Sequence, residues 1–164
     1  MLCAGNREAA GLKDLMLVRG VSNPNVLALV FGVSDLAKAK AMIASPALRE
    51  VMQKAGIIDT PDVHFRRGDF TQREASTYLT VNCRIRSGDT FRKGYAMDKA
   101  DRKAAGLTDL GLLLDIDDEN ELLLLWAVDD VARAEKFLSS PTLAEHQAKN
   151  AGVVSPPVLR YWTT

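Results

Sequence analysis

An internal repeat with a spacing of 95 residues constrains the fold of this chain more than any other feature. Residues 7–50 align with residues 102–145 without a gap, so that REAAGLKDLML lies over RKAAGLTDLGL. One extra residue then enters the second copy, and at a spacing of 96 AGIIDTPDVHF matches AGVVSPPVLRY. Two copies of this length do not make a solenoid, whose repeats are shorter and more numerous. The repeat predicts two homologous halves at 1–69 and 77–164, with a linker at 70–76.

The second copy begins with a predicted strand and helix. Residues 77–86 alternate, with Val81, Cys83 and Ile85 on one face and polar residues on the other, as in a half-buried strand. A helix is predicted over 91–105, with Asp89 or Thr90 as its N-cap and Gly106 after its last turn.

Two apolar runs of strand length follow, and the polar DDEN between them indicates a hairpin, as does SNPN in the first copy. Asp129 or Asp130 is expected to cap the next helix, which restarts at Ser140 and Pro141 before a last strand, VLRYW. The predicted order is therefore β-α-β-β-α-β, the ferredoxin-like arrangement of an α+β protein.

Composition excludes several functional classes. Lys plus Arg and Asp plus Glu both number 21, and zero net charge argues against a nucleic-acid binder. Cys3 and Cys83 form no disulfide framework or zinc motif. The N-terminus has no apolar leader, and the longest apolar run is too short to span a membrane. We therefore expect a cytoplasmic protein with neither a nucleic acid nor a membrane as its partner.

Several motifs of the second half, matched approximately in the first, resemble those of the dimeric α+β barrel superfamily. They include R-K-A-A-G, the D-D-x-N hairpin, V-x-D-x-x-x-A-x-x-F-x-x-S-P-x-L and A-G-V-x-x-P. The superfamily includes the antibiotic-biosynthesis-monooxygenase-like and the stress-responsive A/B barrel proteins. The resemblance implies tandem ferredoxin-like repeats that pack sheet to sheet as an α+β barrel around a cavity. It does not decide whether the chain also forms a homodimer.

The first copy departs from this pattern, because Met1 aligns with Ala96 inside the first helix of the second copy. The first copy therefore lacks an opening strand, which would leave its neighbours without backbone partners. A start downstream of the true one, a strand from residues 70–80, or a strand from another chain would each account for this.

Strand alternation suggests which residues line the predicted cavity. His64 lies opposite the apolar Val63 and Phe65, and Asn82 and Arg84 occupy the polar face of residues 77–86. Arg160 and Trp162 hold the corresponding face of the last strand. We expect His64 as a catalytic base and Arg84 as a catalytic anion stabiliser, with Asn82, Arg160 and Trp162 binding substrate. The alternative is that these residues satisfy one another or lie in water at strand ends.

His146 is a further candidate for binding substrate. It replaces an apolar position of the stripe formed by Leu48, Val51, Met52 and Ala55 in the first copy. Greater exposure of this helix would equally explain the change. Two distant histidines give no metal-ligand spacing, and no phosphate-binding loop is apparent, so we expect neither a metal nor another cofactor.

Two functions remain open from the sequence, besides a less favoured third, a nucleic-acid binder that uses the arginines of residues 66–93 and whose binding would weaken steeply with salt. The first is a tandem α+β barrel that binds a small hydrophobic ligand, as a cofactor-independent oxygenase, isomerase or cyclase acting on a hydrophobic or aromatic substrate. The resemblance implies these reaction classes, and the residues do not choose among them. The second is a non-catalytic binding or assembly module, which a pocket of about 300 Å³ or more with convergent polar groups would argue against.

Overall fold

The computed structural model describes residues 4–164 and divides into two compact units. The first unit holds the residues up to Val18 together with Leu27–Val63, and the second holds Arg19–Val26 together with His64–Thr164. Met1 and Cys3, which entered the sequence predictions, lie outside the described residues.

The first unit contains α1, most of β1, β2, α2 and α3. Their bounds are α1 Ala4–Ala9, β1 Leu12–Gly20, β2 Leu27–Val33, α2 Leu36–Ile43 and α3 Pro46–Lys54. A turn closes the hairpin between the two strands, where Gly20 N donates to Val26 O at 2.8 Å. This hairpin confirms the turn predicted at SNPN.

The second unit contains the remaining elements of the chain. Their bounds are β3 Arg66–Phe70, β4 Thr77–Arg84, α4 Gly88–Met97, α5 Lys99–Ala104, β5 Leu107–Asp115, β6 Glu121–Val128, α6 Val131–Leu138, α7 Pro141–His146, a π-helical turn Gln147–Ala151 and β7 Val158–Thr163. From β4 to β7 the order is β-α-β-β-α-β, as predicted for this half.

In the first unit β2 neighbours β1, and in the second unit the strand order is β7-β4-β6-β5-β3. The strand pairs of the second unit are antiparallel, and Arg19 and Gly20 at the end of β1 also pair with β7. The chain is therefore an α+β protein, as expected. Among residues 4–164, no strand lies beyond β2 or beyond β3. Residues 70–80 do not supply the missing strand, because Phe70 ends β3 and Thr77 begins β4.

The core of the second unit lies between its sheet and its helices. Val81, Cys83 and Ile85 point into this core, as their alternation predicts, and they cluster there with Trp126 and Phe91. Desolvation raises the pKa of the buried Cys83 thiol to about 11, so this residue behaves as a small apolar side chain.

Helix caps explain where several helices begin. Asp130 accepts a hydrogen bond from Arg133 N at 2.9 Å, which identifies it, rather than Asp129, as the cap of α6. Asp35 caps α2 in the same way, from Lys38 N at 3.0 Å. Gly106 has a φ of 76° after α5, the left-handed conformation expected after a helix.

Three local predictions are wrong. The cap of α4 is Ser87, whose hydroxyl accepts from Thr90 N, and not Asp89 or Thr90. The single helix predicted over 91–105 is two helices, which meet at Asp98. His64 precedes β3 rather than lying within a strand. Among the described residues, no helix has the length and apolarity needed to cross a membrane.

Candidate functional site

His64 and Asp115 form the centre of the candidate site, and both belong to the second unit. His64 Nδ1 lies 3.1 Å from Asp115 Oδ2. Asp115 ends β5 and is 7% exposed, and its Oδ1 accepts from Asp117 N at 2.9 Å and from Asp118 N at 3.3 Å. The hairpin backbone therefore holds the Asp115 carboxylate in one orientation towards the imidazole.

The environment of Asp115 determines the proton arrangement on His64. Burial tends to raise the pKa of Asp115, but the hydrogen bonds from Asp117 N, His64 and Asp118 N and the charge of Arg66 together hold it below its usual value. An ionised carboxylate only accepts hydrogen bonds, so Nδ1 of His64 carries a proton. In the neutral imidazole, Nε2 is then the basic nitrogen.

A row of charged residues crosses the sheet beside this pair. Arg66 lies opposite Asp115 across β3 and β5, and Arg84 lies opposite Glu121 across β4 and β6. Directly opposite residues share a face of the sheet. Arg84 Nη1 lies 2.9 Å from Asp118 Oδ2 and 3.7 Å from Glu121 Oε1. His64 and Arg84 therefore belong to one cluster, joined through the acidic residues of the β5–β6 hairpin.

Three side chains in this cluster could together bind a cation. One ligand atom each from His64, Asp115 and Glu121 lies within 4.8 Å of the other two. Oxygen and nitrogen donors of this kind suit several divalent metals. However, the charge of Arg66 acts on Asp115 and the Arg84 guanidinium lies beside Glu121, so two arginines of this chain already offset the carboxylate charges. Both carboxylates therefore belong to an ion-pair network.

The other predicted residues of this sheet face lie progressively farther along it. Asn82 is two positions from Arg84 on β4, and Arg160 lies opposite Thr80. Trp162 is buried, lies opposite Tyr78, and donates from Nε1 to Thr80 Oγ1 at 2.8 Å. Tyr78 and Arg84 are six positions apart along β4, which corresponds to about 20 Å. One small molecule at His64 would therefore not reach Trp162.

His146 lies apart from this cluster, on the helices of the second unit. Its Nε2 lies 3.1 Å from Gly94 O and 3.2 Å from Asp98 Oδ2, and Asn150 Nδ2 lies 2.9 Å from its Nδ1. Donation from Asn150 to Nδ1 leaves the Nε2 proton to bond with Gly94 and Asp98. In this arrangement His146 joins α7 and the π-helical turn to α4.

A second polar cluster is formed by Arg102, Asp109, Tyr95 and Trp126. The buried Arg102 donates to both Asp109 oxygens, at 2.9 and 3.0 Å, and its Cζ lies 3.4 Å from the Tyr95 ring centroid. Desolvation, together with the neighbouring Asp109, raises the pKa of Tyr95 far above its usual value. Trp126, which belongs to the core cluster, donates from Nε1 to Asp109 Oδ1 at 2.9 Å.

Sequence reasoning did not single out Asp115, Asp118 or Glu121, although the acidic run around DDEN was visible as a hairpin signal.

The core of the second unit contains a cavity of about 30 Å³ lined by residues such as Val81, Phe91 and Trp126. A drug-sized ligand needs roughly ten times that volume or more. The cavity is therefore too small for such a ligand, and the polar face of the sheet is the better candidate for a binding surface.

The fold of the chain is that of an α+β protein similar to bacterial proteins of known structure. One is a "putative monooxygenase" from Lactobacillus acidophilus, 11% identical, with a TM-score of 0.56 over 96% of this chain and 81% of that chain. Another is a "putative monooxygenase" from Fusobacterium nucleatum, 10% identical, with a TM-score of 0.50 over 93% of this chain and 76% of that chain. No protein-family model and no curated protein matches the sequence. At such identities the likeness shows the fold alone.

Proposed function

We propose that this chain is a tandem pair of ferredoxin-like halves that binds a small hydrophobic or aromatic molecule. The repeated half is supported by matching details at a spacing of 95 residues. Arg7 contacts Asp14 through two hydrogen bonds, as Arg102 contacts Asp109. Gly11 adopts a φ of 71° where Gly106 adopts 76°. The likeness in fold to the two named monooxygenases supports the small-molecule role.

We further propose that the reaction is a cofactor-independent oxygenation, isomerisation or cyclisation that begins with proton transfer. The observation that carries this proposal is the contact between His64 Nδ1 and the buried Asp115. Asp115 orients the ring, and Nε2 takes the proton from the substrate to leave an enolate or phenolate. The guanidinium of Arg84, which Asp118 holds in place, stabilises that anion.

A ligand screen tests this proposal. Phenols, quinones and aromatic ketones would be screened by thermal shift, and a hit would be titrated by calorimetry. We expect His64→Ala and Arg84→Ala each to weaken binding by about tenfold, the value of one charge-assisted hydrogen bond. Glu119→Gln is the matched control, since Glu119 lies in the same hairpin but contacts Arg67. If both alanine variants bind the hit as tightly as the unmodified protein, this site assignment is wrong.

A non-catalytic binding or assembly module is the second candidate. The cavity of about 30 Å³ in the second unit's core and the exposed apolar strand residues of the first unit favour it. A screen that finds no ligand, together with a stable complex with another polypeptide, would favour this alternative.

A further inference from the structure

Arg66 differs from the neighbouring arginines of the candidate site in how its guanidinium is bonded. Arg84 binds Asp118 at 2.9 Å, and Arg67 binds Glu119. Nη1 of Arg66, in contrast, is buried and has no hydrogen-bond partner within residues 4–164. A buried donor that forms no hydrogen bond costs free energy, and the cost is greater for a charged group. A ligand with a charged acceptor would remove this cost.

Arg66 stands at one end of a row of four charged residues that crosses the sheet. Arg66 lies opposite Asp115, and Arg84 lies opposite Glu121. Ligand atoms of Asp115 and Glu121 lie within 4.8 Å of each other, so these two acidic residues occupy the middle of the row. The two arginines are therefore three strand spacings apart, about 14 Å. Each of them can contact a different end of one ligand.

An apolar strip lies beside this row, on the same face of the sheet. The strand register sets it two residues from the charged row, in the order Gly68, Leu113, Leu123 and Asn82. Residues two apart on a strand share a face, so the strip lies about 7 Å from the charged row. Both leucines are half-buried, and the glycine adds no side chain beside them. The strip can therefore support a flat apolar ring.

We infer that the substrate of this site is an aromatic carboxylic acid whose carboxylate binds Arg66. A guanidinium forms two parallel hydrogen bonds with a carboxylate, which gives Nη1 a charged acceptor. The Arg66 side chain is only partly buried, so its guanidinium can turn towards a ligand whose ring lies on Leu113 and Leu123. The inference rests on the proposed function, because it names the substrate class of the same His64 site. Arg66 holds this unreacting carboxylate, whereas Arg84 stabilises the charge that develops in the reaction.

The acidic residues of the row do not exclude such an anion. The oxygens of Asp115 accept hydrogen bonds from two hairpin amides and contact His64, and Glu121 lies beside Arg84. Each of these carboxylates thus already faces donors of this chain, which leaves Nη1 of Arg66 for the ligand. A singly charged carboxylate suits one arginine beside two acidic residues better than a doubly charged phosphate does.

Two matched pairs of probes test the inference. They are 4-hydroxybenzoate with 4-hydroxybenzamide, and 1-hydroxy-2-naphthoate with 1-hydroxy-2-naphthamide, each titrated into the full chain at pH 7 by calorimetry. We expect each acid to bind at least about tenfold more tightly than its amide, because only the acid offers a charged acceptor. In Arg66→Gln the acid should weaken by about tenfold, whereas binding of the amide should change by less than about twofold.

Two further variants separate carboxylate binding from a structural effect. Arg67→Gln is the matched control, because strand alternation turns Arg67 to the other face of β3, where it contacts Glu119. It should leave the binding of acid and amide unchanged. Leu123→Ala should weaken acid and amide by the same factor, about threefold, because it removes part of the apolar strip from both. Circular dichroism would check that each variant folds.

Four results would overturn the inference: no binding by any of the four probes, acids that bind no more tightly than their amides, an acid preference that Arg66→Gln leaves intact, and an equal loss of acid and amide binding in Arg66→Gln. The last would make Arg66 a structural residue.

The inference and the proposed function fail in different ways. Equal binding of acid and amide that His64→Ala weakens would remove the carboxylate site and leave the proposed function standing. An acid preference that depends on Arg66, with binding that neither His64→Ala nor Arg84→Ala alters, would instead remove the catalytic assignment and keep the carboxylate site.

Discussion

At the scale of single residues, the Asp109 carboxylate concentrates more hydrogen bonds than any other group discussed above. It accepts from Tyr95 Oη at 2.7 Å and from Trp126 Nε1 at 2.9 Å, besides its two bonds from Arg102. Burial tends to raise its pKa, but Arg102 and Tyr95 together hold the pKa below its usual value. Asp109→Asn should cost about 2 kcal/mol at pH 7, because the buried Arg102 loses its charged partner.

The pH dependence provides a second readout of the same substitution. A carboxyl group whose pKa is lowered by folding stabilises the protein above its unfolded pKa, about 3.9, and that contribution is lost as pH falls through the folded pKa. Thermal melts from pH 7 to pH 3 should therefore show a steeper acid loss for the unmodified protein than for Asp109→Asn. Asp14→Asn, in the exposed equivalent pair with Arg7, should change stability by less than about 0.5 kcal/mol. If Asp109→Asn and Asp14→Asn lowered stability equally, the second polar cluster would contribute no more to stability than the pair of Arg7 and Asp14.

At the scale of elements, α4 and the π-helical turn approach each other at Gly94. A Cβ added there would lie 2.7 Å from Ala151 N, Ala151 Cα and Asn150 O, all of them backbone atoms. Gly94→Ala should therefore force the two segments apart and cost about 2 kcal/mol in urea unfolding. Gly5→Ala in α1 is the control, since its Cβ would meet nothing within 4 Å, and alanine favours a helix. If Gly94→Ala left the free energy of unfolding unchanged, the two segments would be able to move apart without loss of stability.

Local signals explain which elements the sequence could predict. The cap at Asp130, the glycine turn at Gly106 and the hairpins depend on a few adjacent residues, and these predictions are confirmed. The break at Asp98 and the π-helical turn depend on packing between distant segments. The same holds for the candidate site, because Asp115 meets His64 only through the pairing of β3 with β5, 51 residues apart in sequence. Strand alternation predicted which face of the sheet each residue occupies. It did not predict the strand register, which places Trp162 far from Arg84 along that face.

At the scale of the whole molecule, the two units should differ in local stability. The principal buried cluster belongs to the second unit, whereas several large apolar residues of β1 and β2 are exposed. Segments with few buried apolar contacts open at a lower free energy than core strands. Native-state hydrogen exchange should therefore find the amides of β2 at least about a hundredfold less protected than those that pair β4 with β6. Equal protection of β2 and β4 would instead mean that the exposed leucines carry no local cost and that both units open in a single cooperative step.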